Sequence, residues 1–488
     1  MKPVVVWFRQ DLRLSDQRAL VAAAGTGAPV IPLYILDDEA PGAWRMGGAS
    51  RWWLNQSLAS LEQSLASLGS KLILRRADTR KALVELVAQT GASTVYTQAA
   101  YEPWASALEA QVHTALGAQG VELKRMAGAL LKRPDALRTK GSDQPFKVYT
   151  PFWRALCASE PPAVPVAAPA ALKSPAQWPP GDALTSWNLH PSKPDWSGGF
   201  DALWTPGESG AHERLAAFLE TALRDYDGDR NRPDRPGTSR LSPHLHFGEI
   251  SPATCWYAAR AAADQMAAEG LNADKGLETF HKELVWREFA AHLLVHRPDL
   301  PEAPFKPEYA AFPWANDPNG LRAWQRGRTG FPIVDAGMRE LWHTGWMHNR
   351  VRMIVASFLI KDLLIPWQHG EAWFWDTLVD ADLASNAASW QWVAGCGADA
   401  APYFRIFNPM RQGETFDPDG VYVRRWVPEL ARLPTVHIHE PWSAPPMVLA
   451  AASVSLGKTY PYPIVDHAHA RDRALAALKS LKTTTRET

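Results

Sequence analysis

Asp380, Asp382 and Asn386 stand close together in a segment that is otherwise rich in tryptophan. It has the sequence W-F-W-D-T-L-V-D-A-D-L-A-S-N-A-A-S-W-Q-W over residues 373–392. A buried carboxylate or amide costs several kcal/mol unless a polar group meets it. We therefore expect Asp380, Asp382 and Asn386 to meet a bound ligand, with helix capping as the alternative role of the two aspartates.

A second segment, 226–248, places small hydroxyl residues beside a glycine just before a helical pattern. Its sequence is Y-D-G-D-R-N-R-P-D-R-P-G-T-S-R-L-S-P-H-L-H-F-G. Such residues can offer donors to phosphates, helped by the dipole of the following helix. An ordinary N-cap has the same composition. The neighbouring arginines at 230, 232, 235 and 240 form either a solvated charged loop or a rim that faces nucleic-acid phosphates.

A third pattern sets an acid, an indole and a guanidinium on one face of a predicted helix. Glu283, Trp286 and Arg287 lie at i, i+3 and i+4 in F-H-K-E-L-V-W-R-E-F-A. A lone tryptophan there would indicate core packing, but the three together favour a pocket that stacks on a flat ring and hydrogen-bonds its polar edge.

A pair of helices with a turn near Gly345 is predicted over 330–353. In the second of them Asn349, Arg352 and Met353 share one face.

Composition narrows the class of protein. Among 488 residues, 46% are hydrophobic and 21% charged, which is typical of a globular chain. No run of eighteen apolar residues occurs and the N-terminus enters a strand pattern, so we expect a cytoplasmic protein with no membrane partner. Three scattered cysteines exclude a four-cysteine iron–sulfur cluster, and we expect no metal. Because the net charge is zero, nucleic-acid binding would need a local basic patch.

The apolar periodicity divides the chain into two halves. Strand patterns at 4–7, 30–36, 71–74, 94–97 and 121–124 alternate with helical ones, which predicts a doubly wound parallel sheet in an α/β domain over 1–130. It has no G-x-G-x-x-G after the first strand, so we do not expect it to hold a dinucleotide. A Pro- and Ala-rich linker is predicted over 131–207. A larger all-α domain is predicted over 208–488, with helical patterns that include 333–346 and 349–365.

These motifs, together with W-F-R-Q-D-L-R-L at 7–14 and Y-P-Y-P-I-V-D-H at 460–467, resemble the photolyase and cryptochrome family, most closely the bacterial class III cyclobutane-dimer photolyases. The resemblance implies a bound FAD. Its implied contacts are Tyr226, Thr238, Ser239, Arg240, Leu241, Ser242, Phe280, Arg287, Arg352, Asp380, Asp382 and Asn386. Phe280 stands where some family members carry tryptophan.

The resemblance also implies a DNA side on which a cyclobutane pyrimidine dimer, extruded from the duplex, is split by an electron from excited reduced FAD. The implied DNA contacts are Arg230, Glu283, Trp286, Asn349, Arg350, Trp392 and Gln412. The implied catalytic set is Glu283, Trp286, Asn349, Met353, Asn386 and Trp392.

Two positions distinguish members of the family that differ in substrate or function. Enzymes acting on the (6-4) lesion carry two histidines where this chain has Asn349 and Met353, and these residues cannot do acid–base work. Asn386 stands where plant cryptochromes carry aspartate, and an amide supplies no ready proton to a reduced flavin. Both observations favour dimer repair.

A tryptophan relay and an antenna pigment complete the expectations. Trp390, Trp367 and Trp314 match the family's relay, while the indoles at 342, 346, 373 and 375 are either core or a side branch. The antenna is expected to be methenyltetrahydrofolate, with a deazaflavin second. We expect a monomer that associates with the nucleoid when bound to DNA. A cryptochrome-type blue-light photoreceptor is the alternative function, and a non-photochemical FAD enzyme or DNA-binding module is a third.

Overall fold

A five-stranded parallel sheet forms the core of the N-terminal domain in the computed structural model, which describes residues 1–399 and 404–484. The strands are β1 (Val4–Phe8), β2 (Val30–Leu36), β3 (Ile73–Arg76), β4 (Thr94–Gln98) and β5 (Glu122–Met126). Their order is β3-β2-β1-β4-β5, with Val5 of β1 paired between Ile31 and Val95. Both faces of β1 are buried, as its unbroken V-V-V-W-F run predicts, and the doubly wound α/β fold is confirmed.

Four helices cover the sheet. They are α1 (Arg18–Ala24), α2 (Gly48–Ser67), α3 (Thr79–Thr90) and α4 (Pro103–Gly117). Local chemistry sets their ends: the Asp78 carboxylate accepts from the Lys81 N–H at the start of α3, and Gly91 ends that helix with a φ of +66°.

The segment 131–207 contains one regular helix, α5 (Tyr149–Ala158), whose buried face packs in the core of the helical domain. Much of the rest runs along the α/β domain, where backbone hydrogen bonds join Leu172 to Leu68 and Asp182 to Leu74. The domain boundaries themselves stay a prediction.

The second half is helical, as predicted. Its helices are α6 (Glu208–Thr221), α7 (Tyr226–Asp229), α8 (Ser242–His246), α9 (Pro252–Ala268), α10 (Asp274–His296), α11 (Pro318–Gln325), α12 (Pro332–Thr344), α13 (Asn349–Ser357), α14 (Trp367–Thr377), α15 (Leu383–Ala394), α16 (Pro409–Phe416), α17 (Val421–Trp426), α18 (Pro446–Ala451) and α19 (His467–Thr484). The expected turn lies at Gly345, whose φ is +66°. Residues 485–488 of the polar end lie outside the described residues.

The helical pattern over 349–365 is wrong in its last part. Helix α13 ends at Ser357 and the chain widens into a π-helical turn over Phe358–Asp362. The buried Asp362 carboxylate in this turn accepts from His467 of α19 at 2.5 Å, a tertiary contact that the local apolar spacing does not predict.

Buried polar contacts lock the two domains together. The Glu249 carboxylate accepts from the Trp53 Nε1–H at 2.9 Å and from the Gly207 N–H at 2.8 Å, while Arg13 donates to the Gly248 carbonyl at 2.8 Å. All three side chains are almost fully buried. They fix the carboxyl edge of the sheet against the helical domain. Within residues 1–399 and 404–484, no helix is long and apolar enough to cross a membrane.

Candidate functional site

The Asp380 carboxylate joins three segments that are distant in sequence. It accepts from the Ser242 hydroxyl at 2.6 Å and from the Arg352 Nη2 at 2.8 Å. Ser242 opens α8, Arg352 lies on α13, and Asp380 lies just before α15. Asp380 is 7% exposed, so these charge-assisted contacts are shielded from water. The hydroxyl-rich loop, the Asn349 helix and the acidic segment therefore form one site.

The loop over 238–242 concentrates positive charge. Arg240 has a φ of +50°, and its guanidinium lies 4.8 Å from the Trp346 ring centre. Burial, together with the nearby Arg240, Arg350 and Arg352 guanidinium groups, lowers the pKa of His348 to about 3. The pocket thus opposes a further positive charge and suits a diphosphate, for which Thr238 and Ser239 supply hydroxyl groups.

Asp382 is the N-cap of α15, where its carboxylate accepts from the Ser385 N–H at 2.8 Å. Burial alone would raise the pKa of Asp382, but the His246 ring, 3.9 Å away, and the Arg287 charge hold that pKa well below its usual range. Asp382 can therefore cap α15 and, as an ionised carboxylate, also face Arg287. Arg287 itself donates to the Ala129 carbonyl at 2.8 Å.

Asn386 is fixed by its neighbour on α14. Its Nδ2 donates to the Glu371 backbone carbonyl at 3.0 Å, and the Asn386 carbonyl oxygen has no partner among the described residues. Beside it the Glu371 side chain is 1% exposed and its Oε1 lacks a hydrogen bond from the described chain. Burial and the charge of Glu302 raise the pKa of Glu371 to about 9, so this carboxyl is neutral at pH 7. The site presents an amide acceptor beside a protonated acid.

The expected DNA-side residues border this site. Arg230 pairs with Glu283 at 2.8 Å, and Arg350 donates to the Asn231 side chain at 2.7 Å. Burial raises the pKa of Glu283 against the opposing charge of Arg230. Trp286 is 37% exposed.

The remaining expected residues divide between surface and core. Asn349 is exposed at the start of α13, with Met353 half-buried one turn later, and Gln412 is half-buried on α16. Tyr226 and Phe280 are buried with their rings 5.9 Å apart. Leu241 is 1% exposed, so its side chain packs in the core. Only its backbone is left to contact a ligand at the loop.

The three tryptophans expected to form a relay lie in the helical core. Trp390 is 2% exposed and packs so closely on α14 that a Cβ on Gly370 would lie 2.1 Å from its ring. Trp367, 2% exposed, begins α14, and the half-buried Trp314 lies 4.4 Å from Phe312.

The additional indoles separate by location. Trp342 stacks on Trp196 at 4.9 Å and on Trp373 at 5.9 Å, forming a partly exposed column. Trp346 belongs to the site, because its Nε1 donates to the Ser242 hydroxyl at 3.3 Å. Trp375 contacts Trp44 of the α/β domain, with ring centres 5.5 Å apart.

A cavity lies between the domains at the carboxyl edge of the sheet, where open α/β sheets bind ligands, and Asp382 and Arg287 are among the residues that line it. Its open volume is about 1390 Å³, solvent at its mouth included. Trp44, Trp104 and Trp375 supply aromatic walls, and Glu102 faces Asp382. Burial and the Asp382 charge raise the pKa of Glu102 to about 7.

Sequence reasoning missed two residues of the site. Glu371 carried a signal, since it is an acid within the apolar W-Q-H-G-E-A-W-F-W run. Tyr149, whose ring is parallel to Trp286 at 3.7 Å, carried none, because it lies in the predicted linker. No cluster of three or more metal-ligating side chains occurs in the described part of the chain.

Two family models match the chain. One, described as DNA photolyase, covers residues 4–170, and the other, described as the FAD binding domain of DNA photolyase, covers residues 280–480. The chain is 52% identical to a deoxyribodipyrimidine photo-lyase of Agrobacterium fabrum over 483 residues, 99% of each chain. It is 41% identical to cryptochrome-1 of Arabidopsis thaliana, covering 98% of this chain and 70% of that one. A crystal structure of a bacterial class III photolyase from Agrobacterium tumefaciens superposes with a TM-score of 0.94, at 52% identity over 99% of this chain and 98% of that one.

The raised pKa of Glu371 predicts a pH-dependent stability. The folded protein keeps a proton on Glu371 that the unfolded chain releases above its ordinary pKa of 4.5, so stability falls as pH rises from 4.5 to about 9. Glu371→Gln has no such proton to lose. Its stability advantage over the wild type should grow with pH by at most about 1.4 kcal/mol per unit between pH 6 and 8.5.

Thermal unfolding of both proteins across this pH range measures the effect. Glu62→Gln, at an exposed position of α2, is the matched control and should follow the wild type. A Glu371→Gln curve that also runs parallel to the wild type would show that Glu371 is ionised in the folded protein.

Proposed function

The chain belongs to the DNA photolyase family, and we propose that it is a deoxyribodipyrimidine photo-lyase, which uses light to split cyclobutane pyrimidine dimers in DNA. The observation that carries this proposal is the Asp380 network, because it ties the hydroxyl-rich loop to the helix that bears Asn349 and to the start of α15. One compact site then has both a cofactor side and a DNA side.

The residues present fit FAD. Arg240 and the hydroxyl groups of Thr238 and Ser239 suit its diphosphate, and the Asn386 carbonyl oxygen, pinned through its own amide nitrogen, can accept from an N–H of the flavin ring. When bound in its reduced form, FAD absorbs blue or near-UV light and supplies the electron that splits the dimer. Asn386 has no acidic proton to give, and the neutral Glu371 behind it adds no negative charge to the pocket.

The DNA side is proposed to receive a dimer that has left the base stack. The crosslinked bases pair and stack poorly, which lowers the cost of extrusion. Trp286 offers its indole to one base, and Glu283, held by Arg230 at 2.8 Å, accepts from a base edge. Trp392 and Gln412 line the same side, and Arg350 approaches the phosphates.

The choice of lesion rests on α13. Asn349 and Met353, one turn apart, replace the pair of acid–base groups that a (6-4) photoproduct would need. Splitting a cyclobutane ring needs an electron and no proton relay, so the amide and the thioether suffice to contact the dimer.

We propose that the interdomain cavity holds the antenna pigment, methenyltetrahydrofolate first and a deazaflavin second. Three indoles suit a flat heteroaromatic ring, and Arg9 and Arg51 supply positive charge at the sheet edge. An absorption spectrum of the protein purified with its pigments tests this, because Trp44→Ala should lose a near-UV band and keep its FAD. An unchanged spectrum would remove the cavity as the antenna site.

The enzyme is proposed to act as a monomer in the cytoplasm, on nucleoid DNA, and sedimentation of the complex with a dimer-containing duplex should give one protein per lesion. The alternative is a photoreceptor role, and the 41% identity to the Arabidopsis cryptochrome-1 is in its favour. An assay of dimer repair distinguishes a photo-lyase from a photoreceptor.

The direct test is a repair assay with chemically reduced protein. Oligonucleotides carrying one thymine dimer or one (6-4) lesion are incubated in light and in the dark, and restored thymines are counted. We expect repair of the thymine dimer in the light alone and no repair of the (6-4) lesion. Dark repair, or equal action on both lesions, would overturn the proposal.

The buried position of Trp390 predicts that photoreduction and repair can be separated. Trp390→Phe should slow photoreduction of oxidised FAD at least about tenfold, because phenylalanine is far harder to oxidise, and it should spare the fold because the volume change is small. The pre-reduced variant should still repair dimers, since the repair electron passes between flavin and lesion.

Trp324→Phe is the matched control, because Trp324 is equally buried and its ring centre lies 6.2 Å from that of Trp390, outside the proposed relay. It should photoreduce like the wild type. Undiminished photoreduction in Trp390→Phe would contradict the relay and direct attention to the Trp342 column.

A further inference from the structure

Trp286, the indole proposed to meet the lesion, is covered on one face by Tyr149. The two rings are 3.7 Å apart between centres and 5° from parallel. Tyr149 is 7% exposed, whereas Trp286 is 37% exposed. The arrangement leaves one face of the indole for a base and holds its plane against the tyrosine.

Tyr149 is itself anchored to the helix that carries Trp286. Its hydroxyl donates at 2.7 Å to the backbone carbonyl of Lys282, one turn before Trp286 on α10. Phe289, on the same helix, meets the Tyr149 ring edge-on at 5.9 Å. Tyr149 is thus held rigidly against one face of Trp286. It does not behave as part of the linker that the sequence predicts.

A second set of contacts connects Tyr149 to Trp392 through Asp399. Tyr149 is the first residue of α5, and its backbone N–H lies near the Asp399 carboxylate, where it opposes the rise that burial causes in the pKa of Asp399. An anion at this position also meets the positive end of the helix dipole. The Asp399 backbone carbonyl accepts from the Trp392 Nε1–H at 3.2 Å, and Asp399 has a φ of +53°, in the left-handed region that aspartate tolerates better than most residues.

We propose that Tyr149 and Asp399 are positioning residues that form one bridge between the two lesion-facing indoles. The bridge runs from Trp286 through the Tyr149 ring and its N–H to Asp399 and then to the Trp392 indole. Its function rests on the proposed dimer repair. It keeps both indoles in place before DNA arrives, so that less binding energy is lost in ordering them.

The test is a double-mutant cycle in the flavin-loaded protein, with the dissociation constant for a thymine-dimer oligonucleotide as the readout. Tyr149→Ala should weaken dimer binding about three- to tenfold, the range expected for a lost aromatic pair. In a Trp286→Ala background, Tyr149→Ala should have no further effect on dimer binding, because Tyr149 then has no indole to position. Tyr149→Phe, which keeps the ring, should restore binding to within about twofold of the wild type.

Asp399 is tested in the same way against Trp392. Asp399→Ala should weaken binding in the wild-type background and weaken it less in Trp392→Ala, where only the arm toward Tyr149 and Trp286 is left to lose. Asp399→Asn keeps an acceptor for the Tyr149 N–H and should bind more tightly than Asp399→Ala. The absorption spectrum of bound FAD and the rate of its photoreduction should stay unchanged in all variants of Tyr149 and Asp399, which a general loss of structure would not allow.

Wild-type affinity in Tyr149→Ala, or additive effects in either cycle, would overturn the bridge while leaving dimer repair standing. A wild-type protein that neither binds nor repairs the dimer would overturn both.

Discussion

A single buried carboxylate, that of Asp380, holds the site together. Its partners Ser242 and Arg352 come from helices α8 and α13, and the Trp346 indole donates to the same Ser242 hydroxyl. Removing one partner of such a network would leave buried donors unsatisfied, so the arrangement is favoured only as a whole. The loop over 238–242, helix α13 and the start of α15 depend on it for their relative positions.

The residues on different faces of helix α15 contact different parts of the molecule. Asp382 caps its N-terminus, and Asn386 and Trp390 follow at i and i+4 on one face, toward α14. Trp392, two positions later, points elsewhere and reaches the Asp399 carbonyl. The 3.6-residue period therefore lets one rigid helix contact the proposed cofactor side, the proposed relay and the proposed DNA side, which keeps the distances between them fixed.

Much of this could be predicted because the signals are local. The run V-I-P-L-Y-I-L predicts a buried strand, and β2 spans the same seven residues. The i, i+3, i+4 spacing placed Glu283, Trp286 and Arg287 on one helix. Tyr149 could not be found in this way, since its role comes from a tertiary stack with a helix far along the chain. The π-helical turn after α13 likewise contains a contact with a distant residue, His467, that no local spacing predicts.

We propose that the cofactor occupies the helical domain, beside Asn386, and that the interdomain cavity, which Asp382 and Arg287 also line, takes a different ligand. A crystal structure of the protein with FAD bound tests this most directly. We predict the flavin ring in hydrogen-bond contact with the Asn386 carbonyl oxygen, with the diphosphate against residues 238–242. A flavin ring that lies instead in the interdomain cavity, beside Trp44 and Glu102, would contradict the assignment of both sites.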